Sequence, residues 1–231
     1  VLADVLSAAG GIAWTIAYLG IIRRGFADRT YGMPFVPLAL NATWEFTFGF
    51  LEPSPWALQV VVNIVWFCFD VVILVTYFRY GREEFARLAD ARWFVPWSVA
   101  VLAGSLAVMY LTAREFAGDP DHPVDAYSAL FSNLVMSMCF IGMLLRRGSS
   151  AGQSMTIAVS KAVGTAAVTV MVFDDVGSAL VLTTGACVLA LDVLYAVLLR
   201  RRIREEGGEA RRAAEAGDTG EAGKAAAATA P

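Results

Sequence analysis

Charge is scarce in this sequence: Asp, Glu, Lys and Arg make up 17% of its 231 residues, and 58% are hydrophobic. A soluble domain of that size carries roughly 25% charge, so the shortage excludes one and points to a multi-pass protein of the cell membrane, with the lipid bilayer as its surroundings. No basic groove is visible, which excludes nucleic acid as a partner. Cysteine is rare too. Cys68, Cys139 and Cys187 all sit in apolar runs and are odd in number, which predicts no disulfide. The single histidine, His122, stands in Asp119-Pro120-Asp121-His122-Pro123, a pattern that reads as a solvated loop before it reads as a divalent-ion site. Glycine-rich phosphate loops, a G-x-S-x-G elbow and an H-E-x-x-H helix are missing. Asp174 and Asp175 lack a third carboxylate one turn on, so no Mg²⁺ cluster able to ionise a prenyl diphosphate is expected, nor any other metal or cofactor. The first apolar run lacks a basic n-region and an A-x-A site, which predicts a retained span and not a cleaved signal.

What the sequence has is apolar runs long enough to cross about 30 Å of hydrocarbon as helices. Seven can be placed: Leu2–Ile22, Met33–Leu51, Trp56–Phe78, Phe94–Ala113, Ala126–Leu145, Met155–Phe173 and Ala179–Leu199. Arginines follow spans one, three, five and seven, and acidic residues fill the alternate loops, so the positive-inside bias puts the N-terminus outside and the C-terminus in the cytoplasm. Gly20 with Arg23-Arg24 in span one resembles Gly142 with Arg146-Arg147 in span five. Asp70 running to Arg79 resembles Asp192 running to Arg200. These matches predict an all-α, seven-transmembrane bundle built as a 3+1+3 parallel repeat, with span four as connector. Residues 1–204 form that bundle. Residues 205–231, poor in aromatics and branched apolars, read as a disordered cytoplasmic tail.

Four ionisable residues lie inside spans: Glu45, Asp70, Lys161 and Asp192. A mid-bilayer charge costs at least ~2.5–3.5 kcal/mol, so each should face the bundle interior and is a functional candidate. Counted from the cytoplasmic edge, Glu45 lies roughly 18 Å deep, Asp70 and Asp192 about 10–12 Å and Lys161 about 9 Å. Lys161 can pair with either aspartate. With Asp70 taken as its structural partner, Glu45 and Asp192 remain without a cation. Asn41 and Phe48 share the Glu45 face, Asn63 and Trp66 the Asp70 face, and Val188 and Tyr195 the Asp192 face. Trp14, Tyr18, Trp44, Phe46, Phe48, Phe50, Trp66, Phe67 and Phe69 crowd the same spans. Such stripes usually pack, yet they also suit a cavity that holds a greasy substrate and calms a transient cation.

Met33-Pro34, Asn41-Ala42-Thr43-Trp44-Glu45-Phe46 and Leu191-Asp192-Val193-Leu194-Tyr195 resemble the integral-membrane terpene cyclases, the paxilline- and pyripyropene-type enzymes of fungal meroterpenoid and indole-diterpene pathways, with bacterial drimentine-type relatives. Gly152-Gln153-Ser154 and Gly164-Thr165 look similar as well, and the resemblance covers the seven-span core. It implies a metal-independent enzyme in which Glu45 and Asp192 are the essential acid groups. One would donate a proton to a farnesyl-like chain on a prenylated small-molecule precursor, and the other would support it or assist the final deprotonation. Asn41, Trp44, Phe48, Trp66, Asp70 and Tyr195 are the expected substrate-binding residues. A carboxyl in a dry apolar site keeps its proton at neutral pH, which suits a general acid. The alternative is a small seven-helix transporter with midplane carboxylates. Against it, Glu45 has no acidic repeat counterpart, the matching place in span six falling near Ala167 and Val168. A retinal photoreceptor is disfavoured because span seven has no lysine.

Overall fold

The computed structural model describes the backbone of residues 2–54, 56–118 and 123–228, with side chains as far as Arg212. The His122 loop lies outside the described residues, and the expected disordered tail falls mostly on positions whose side chains are outside them too.

The apolar runs form helices α1 (Leu2–Ala27), α2 (Phe35–Phe46), α3 (Ala57–Ala86), α4 (Phe94–Glu115), α5 (Val124–Arg147), α6 (Met155–Val176) and α7 (Ala179–Ala228). No strand occurs among the described residues. Six of these helices are long and apolar enough to cross a membrane; α2 is the exception. Pro34 precedes α2 and Pro37 sits in its first turn, where a missing N–H costs no helical bond. After Phe46 the chain widens into a π-helical turn over Thr47–Leu51, closed by Glu52 N donating to Thr47 O at 2.8 Å. Gly148 ends α5 and Gly177 ends α6 in the left-handed conformation, and Ser154 Oγ caps α6 by accepting from Ile157 N at 3.3 Å.

The helices close a circuit. α1 packs on α6, α6 on α7, α7 on α5, α5 on α2, α2 on α3, and α3 returns to α1; α4 lies outside it, mainly against α2. Close approach of α1 and α6 depends on Gly164, where a Cβ would stand 2.6 Å from Trp14 Cδ1. The distribution of polarity is that of a membrane protein. Ile12, Leu19, Leu58, Val61 and Leu182 are exposed, whereas Glu45, Asn63, Asp70, Ser137, Lys161 and Asp192 are buried.

At the arginine-bearing end, hydrogen bonds bind the loops to the helices. The Arg147 guanidinium donates to Glu84 Oε2 at 2.8 and 3.0 Å and to the carbonyls of Tyr31 and Ala151 at 3.0 Å, and it lies 4.3 Å from the Tyr31 ring centre. Burial, with Glu84 adding to it, pushes the Tyr31 phenol above its ordinary value, so Tyr31 stays neutral. Gly152, at φ 77, donates its N–H to Asp28 Oδ2 at 2.7 Å, and a Cβ there would meet Tyr31 O at 2.9 Å. Glu206 accepts from Ser150 N at 2.8 Å, so the contacts of the bundle run past Arg204.

Candidate active site

Two polar clusters interrupt the apolar interior. The first gathers residues of α1, α2 and α3. Tyr18 Oη donates to Glu45 Oε1, and Asn41 Nδ2 lies 2.9 Å from the same oxygen and 2.8 Å from Asp70 Oδ2. Glu45 and Asp70 are 1% and 0% exposed, and Glu45 Oε2 and Asp70 Oδ1 have no hydrogen-bond partner. The two carboxyl groups thus share one amide donor, and no salt bridge reaches either of them among the described residues. The rings of Trp66 and Phe69 stand 5.7 and 5.8 Å from the Tyr18 ring and form an aromatic wall. Trp66 is itself fixed by an indole N–H donated to Thr15 Oγ1 at 3.1 Å.

The second cluster belongs to α5, α6 and α7. Lys161 Nζ donates to Asp192 Oδ1 and Oδ2 at 2.7 and 3.0 Å and to Ser137 Oγ at 2.6 Å, and Ser137 Oγ lies 2.7 Å from Asp192 Oδ1. Both charged side chains are at most 2% exposed. A buried charge is tolerated when it is matched, and here the match is complete. The clusters meet on α1. Trp14 lies 5.8 Å from Lys161 Nζ, and its ring is 6.4 Å from that of Tyr18, one turn on.

The expected pairing of Lys161 with Asp70 is therefore wrong. α6 packs beside α7, which brings Lys161 to Asp192, while Asp70 on α3 faces Asn41 of α2.

Of the expected substrate-binding residues, Asn41 and Asp70 join Glu45 in the first cluster, and Trp66 stands against Tyr18. Trp44 donates its indole N–H to Asp125 O and Ser128 Oγ at 3.1 and 3.0 Å, and Phe48 packs with Met109 and Ala113 of α4. Tyr195 donates to Gln153 Oε1 at 3.0 Å and stands against Phe140, holding the loop before α6. Phe46, Phe50 and Phe67 form a separate aromatic group. Sequence reasoning missed Tyr18 and Ser137 as members of the clusters. The signal for Tyr18 was its hydroxyl, one turn from Trp14 in an otherwise apolar helix. The Gly152-Gln153-Ser154 segment acquires a physical meaning, since its residues make the close approach, hold Tyr195 and cap α6.

No group of three or more His, Cys, Asp or Glu side chains able to hold a metal ion occurs among the described residues.

A family model described as Pyr4-like transmembrane terpene cyclases matches residues 1–204. The Pyr4-family terpene cyclase mfmH of Annulohypoxylon moriforme is 32% identical over 70% of this chain and 66% of its own length, just under two thirds. The terpene cyclase pyr4 of Aspergillus fumigatus is 26% identical over 89% of this chain and 88% of its own. Asnovolin H synthase nvfL of Aspergillus novofumigatus is 29% identical over 74% and 69%.

Proposed function

We propose, for a chain that belongs to the Pyr4-like transmembrane terpene cyclases, that it closes rings in the prenyl chain of a prenylated precursor by protonation and without a metal ion. The observation that carries the reading is the unequal charge matching of its buried carboxyl groups. Asp192 is paired by Lys161, whereas Glu45 and Asp70 share only the neutral donors Asn41 and Tyr18. A carboxyl without a counter-charge in a dry interior suits a proton donor, and one matched by a lysine suits the stabilisation of positive charge. Groups set apart in this way divide into acid and base. Glu45 is then the general acid that protonates a terminal alkene or epoxide, with Asp70, Asn41 and Tyr18 positioning it. Asp192, paired with Lys161, balances the developing cation and takes part in the final deprotonation. Trp14, Tyr18 and Trp66 offer ring faces to the cation between them.

Because Glu45 is 1% exposed, substrate entry must part the aromatic wall around it. The substrate is a farnesyl-like chain on a polar natural-product head group, as in meroterpenoid biosynthesis.

A seventh crossing belongs to the same proposal. α2 and its π-helical turn together span Phe35–Leu51, about 26 Å at helical rise, the short end of what crosses a hydrocarbon layer of about 30 Å. The arginine-bearing end faces the cytoplasm, at the cell membrane. A parallel repeat with α4 as connector is supported by the packing pairs, because α1 on α6 answers α5 on α2, and α2 on α3 answers α6 on α7. Starts at Phe35 and Met155 put Lys161 opposite Asn41 in that repeat, and Thr165 opposite Glu45, two residues before the place the sequence suggests. The Asn41–Asp70 and Lys161–Asp192 pairs are then one device in two versions, neutral and charged.

The test is to incubate membranes containing the protein with farnesylated precursors and to follow products of unchanged mass and altered retention. Wild type is expected to form them, and Glu45→Gln is not. Absence of any such product across farnesyl and geranylgeranyl precursors, with transport of the precursor across vesicles, would favour a carrier instead.

A further inference from the structure

Two hollows adjoin at the arginine-bearing end of the bundle. One, of about 330 Å³, is polar and is bounded by Arg29, Tyr80, Arg87, Arg146 and Ser149. The other, of about 410 Å³, is mainly apolar and runs between α2, α3, α4 and α5 along Pro34, Phe35, Phe85, Trp97 and Met143. They share Glu84, Leu88 and Arg146 and so form one amphipathic groove, outside both carboxyl clusters.

Its charge is unbalanced. Arg29, Arg87, Arg146 and Arg147 line the polar part against Glu83 and Glu84; Glu84 is occupied by Arg146 and Arg147, and Arg29 and Arg87, both exposed, have no ion pair among the described residues. Arg29 has φ 51 and is the one non-glycine residue with positive φ among those described, so the turn that aims it is held against its own backbone preference. Leu88 and Trp97, 63% and 46% exposed, mark the passage from the basic to the apolar part. Basic groups at a membrane surface beside an apolar slot between helices recognise a phosphate carrying an acyl chain.

We propose that this groove binds one anionic phospholipid, its phosphate against Arg29, Arg87 and the free edge of Arg146 and one acyl chain along Phe35, Phe85 and Met143. Charge complementarity selects this occupant over a zwitterionic lipid. Arg146 and Glu84 also tie the cap together, so a bound lipid stabilises the loops around Tyr31.

The test uses the full chain in detergent, delipidated and titrated with phosphatidylglycerol or with phosphatidylcholine of the same acyl chains, and read by native mass spectrometry. Phosphatidylglycerol is expected to be retained as a single adduct more than about tenfold better. The exposed pair Arg29→Gln and Arg87→Gln, combined, should bring retention down to the phosphatidylcholine level without lowering the melting temperature of the lipid-free protein. Equal retention of the two lipids by wild type overturns the proposal, and that comparison stands whether or not the double variant folds. So does undiminished phosphatidylglycerol binding by a folded double variant. Displacement of the lipid by millimolar inorganic phosphate also overturns it, in favour of a free-anion site.

Discussion

Lys161 Nζ stands 2.7 and 3.0 Å from the two carboxylate oxygens of Asp192, on neighbouring helices and away from solvent. Neither group can be removed alone without stranding the other. Asp192→Asn should therefore lower stability by about 3–5 kcal/mol, read as a fall in melting temperature and in folded yield. Lys161→Met combined with Asp192→Leu should recover most of that loss while remaining inactive. If Asp192→Asn melts like wild type, the pair is not formed in the membrane.

Glu45→Gln should behave differently, because Glu45 has no cation to abandon. The amide keeps an acceptor for Tyr18 and the size of the side chain. Folding should be near normal, and turnover should fall by the ~10²–10⁴ typical of a deleted general acid. Retention of more than about a tenth of the rate, a barrier change of only ~1.4 kcal/mol, would make Glu45 a polar contact between helices.

Tyr18→Phe keeps the ring against Trp66 and Phe69 and deletes only the donor to Glu45. The loss in stability should stay near ~1 kcal/mol, since one hydrogen bond disappears. Turnover should drop by more than that loss converts to, and adding Tyr18→Phe to Glu45→Gln should cost little beyond Glu45→Gln alone, because groups acting as a unit are not additive.

Gly164→Ala probes the contact of α1 with α6. The new methyl would meet the Trp14 indole, so Trp14 must shift and with it the ring beside Lys161. A destabilisation of about 1–3 kcal/mol is expected in a melting experiment. Gly11→Ala, where nothing lies within 4 Å, is the control and should be neutral or mildly stabilising.

Activity should survive a chelator. Turnover that vanishes in EDTA and returns with Mg²⁺ would mean that a diphosphate is being ionised and that protonation does not start the reaction.

The helix order and the buried ionisable residues are legible in the sequence because each rests on one-dimensional information, an apolar run of sufficient length or a charge inside it. Partner choice is not. Helical rise places Asp70, Asp192 and Lys161 at one depth but says nothing of azimuth, and only the order of helices around the circuit sends Lys161 to Asp192. Aromatic residues are ambiguous for the same reason. Trp44, Trp66 and Phe50 read alike in sequence, yet one anchors α2 to α5, one packs on the Tyr18 ring and one is half exposed. The widened turn after Phe46 is invisible because its Thr-Phe-Gly-Phe-Leu residues carry no periodic break.

That turn separates two kinds of freedom in the chain. A π-helical step accommodates one residue more than an α-helical one, so deleting a residue between Thr47 and Leu51 can be absorbed by a return to the α-helical turn, with the flanking residues keeping their faces. Glu45 lies before the step and would keep its place, and Glu52 would stay on the side of Arg114, which it now meets at 3.3 Å. Chain length in this one segment can therefore change by a residue while the buried Glu45 and the partners of its carboxyl group stay where they are.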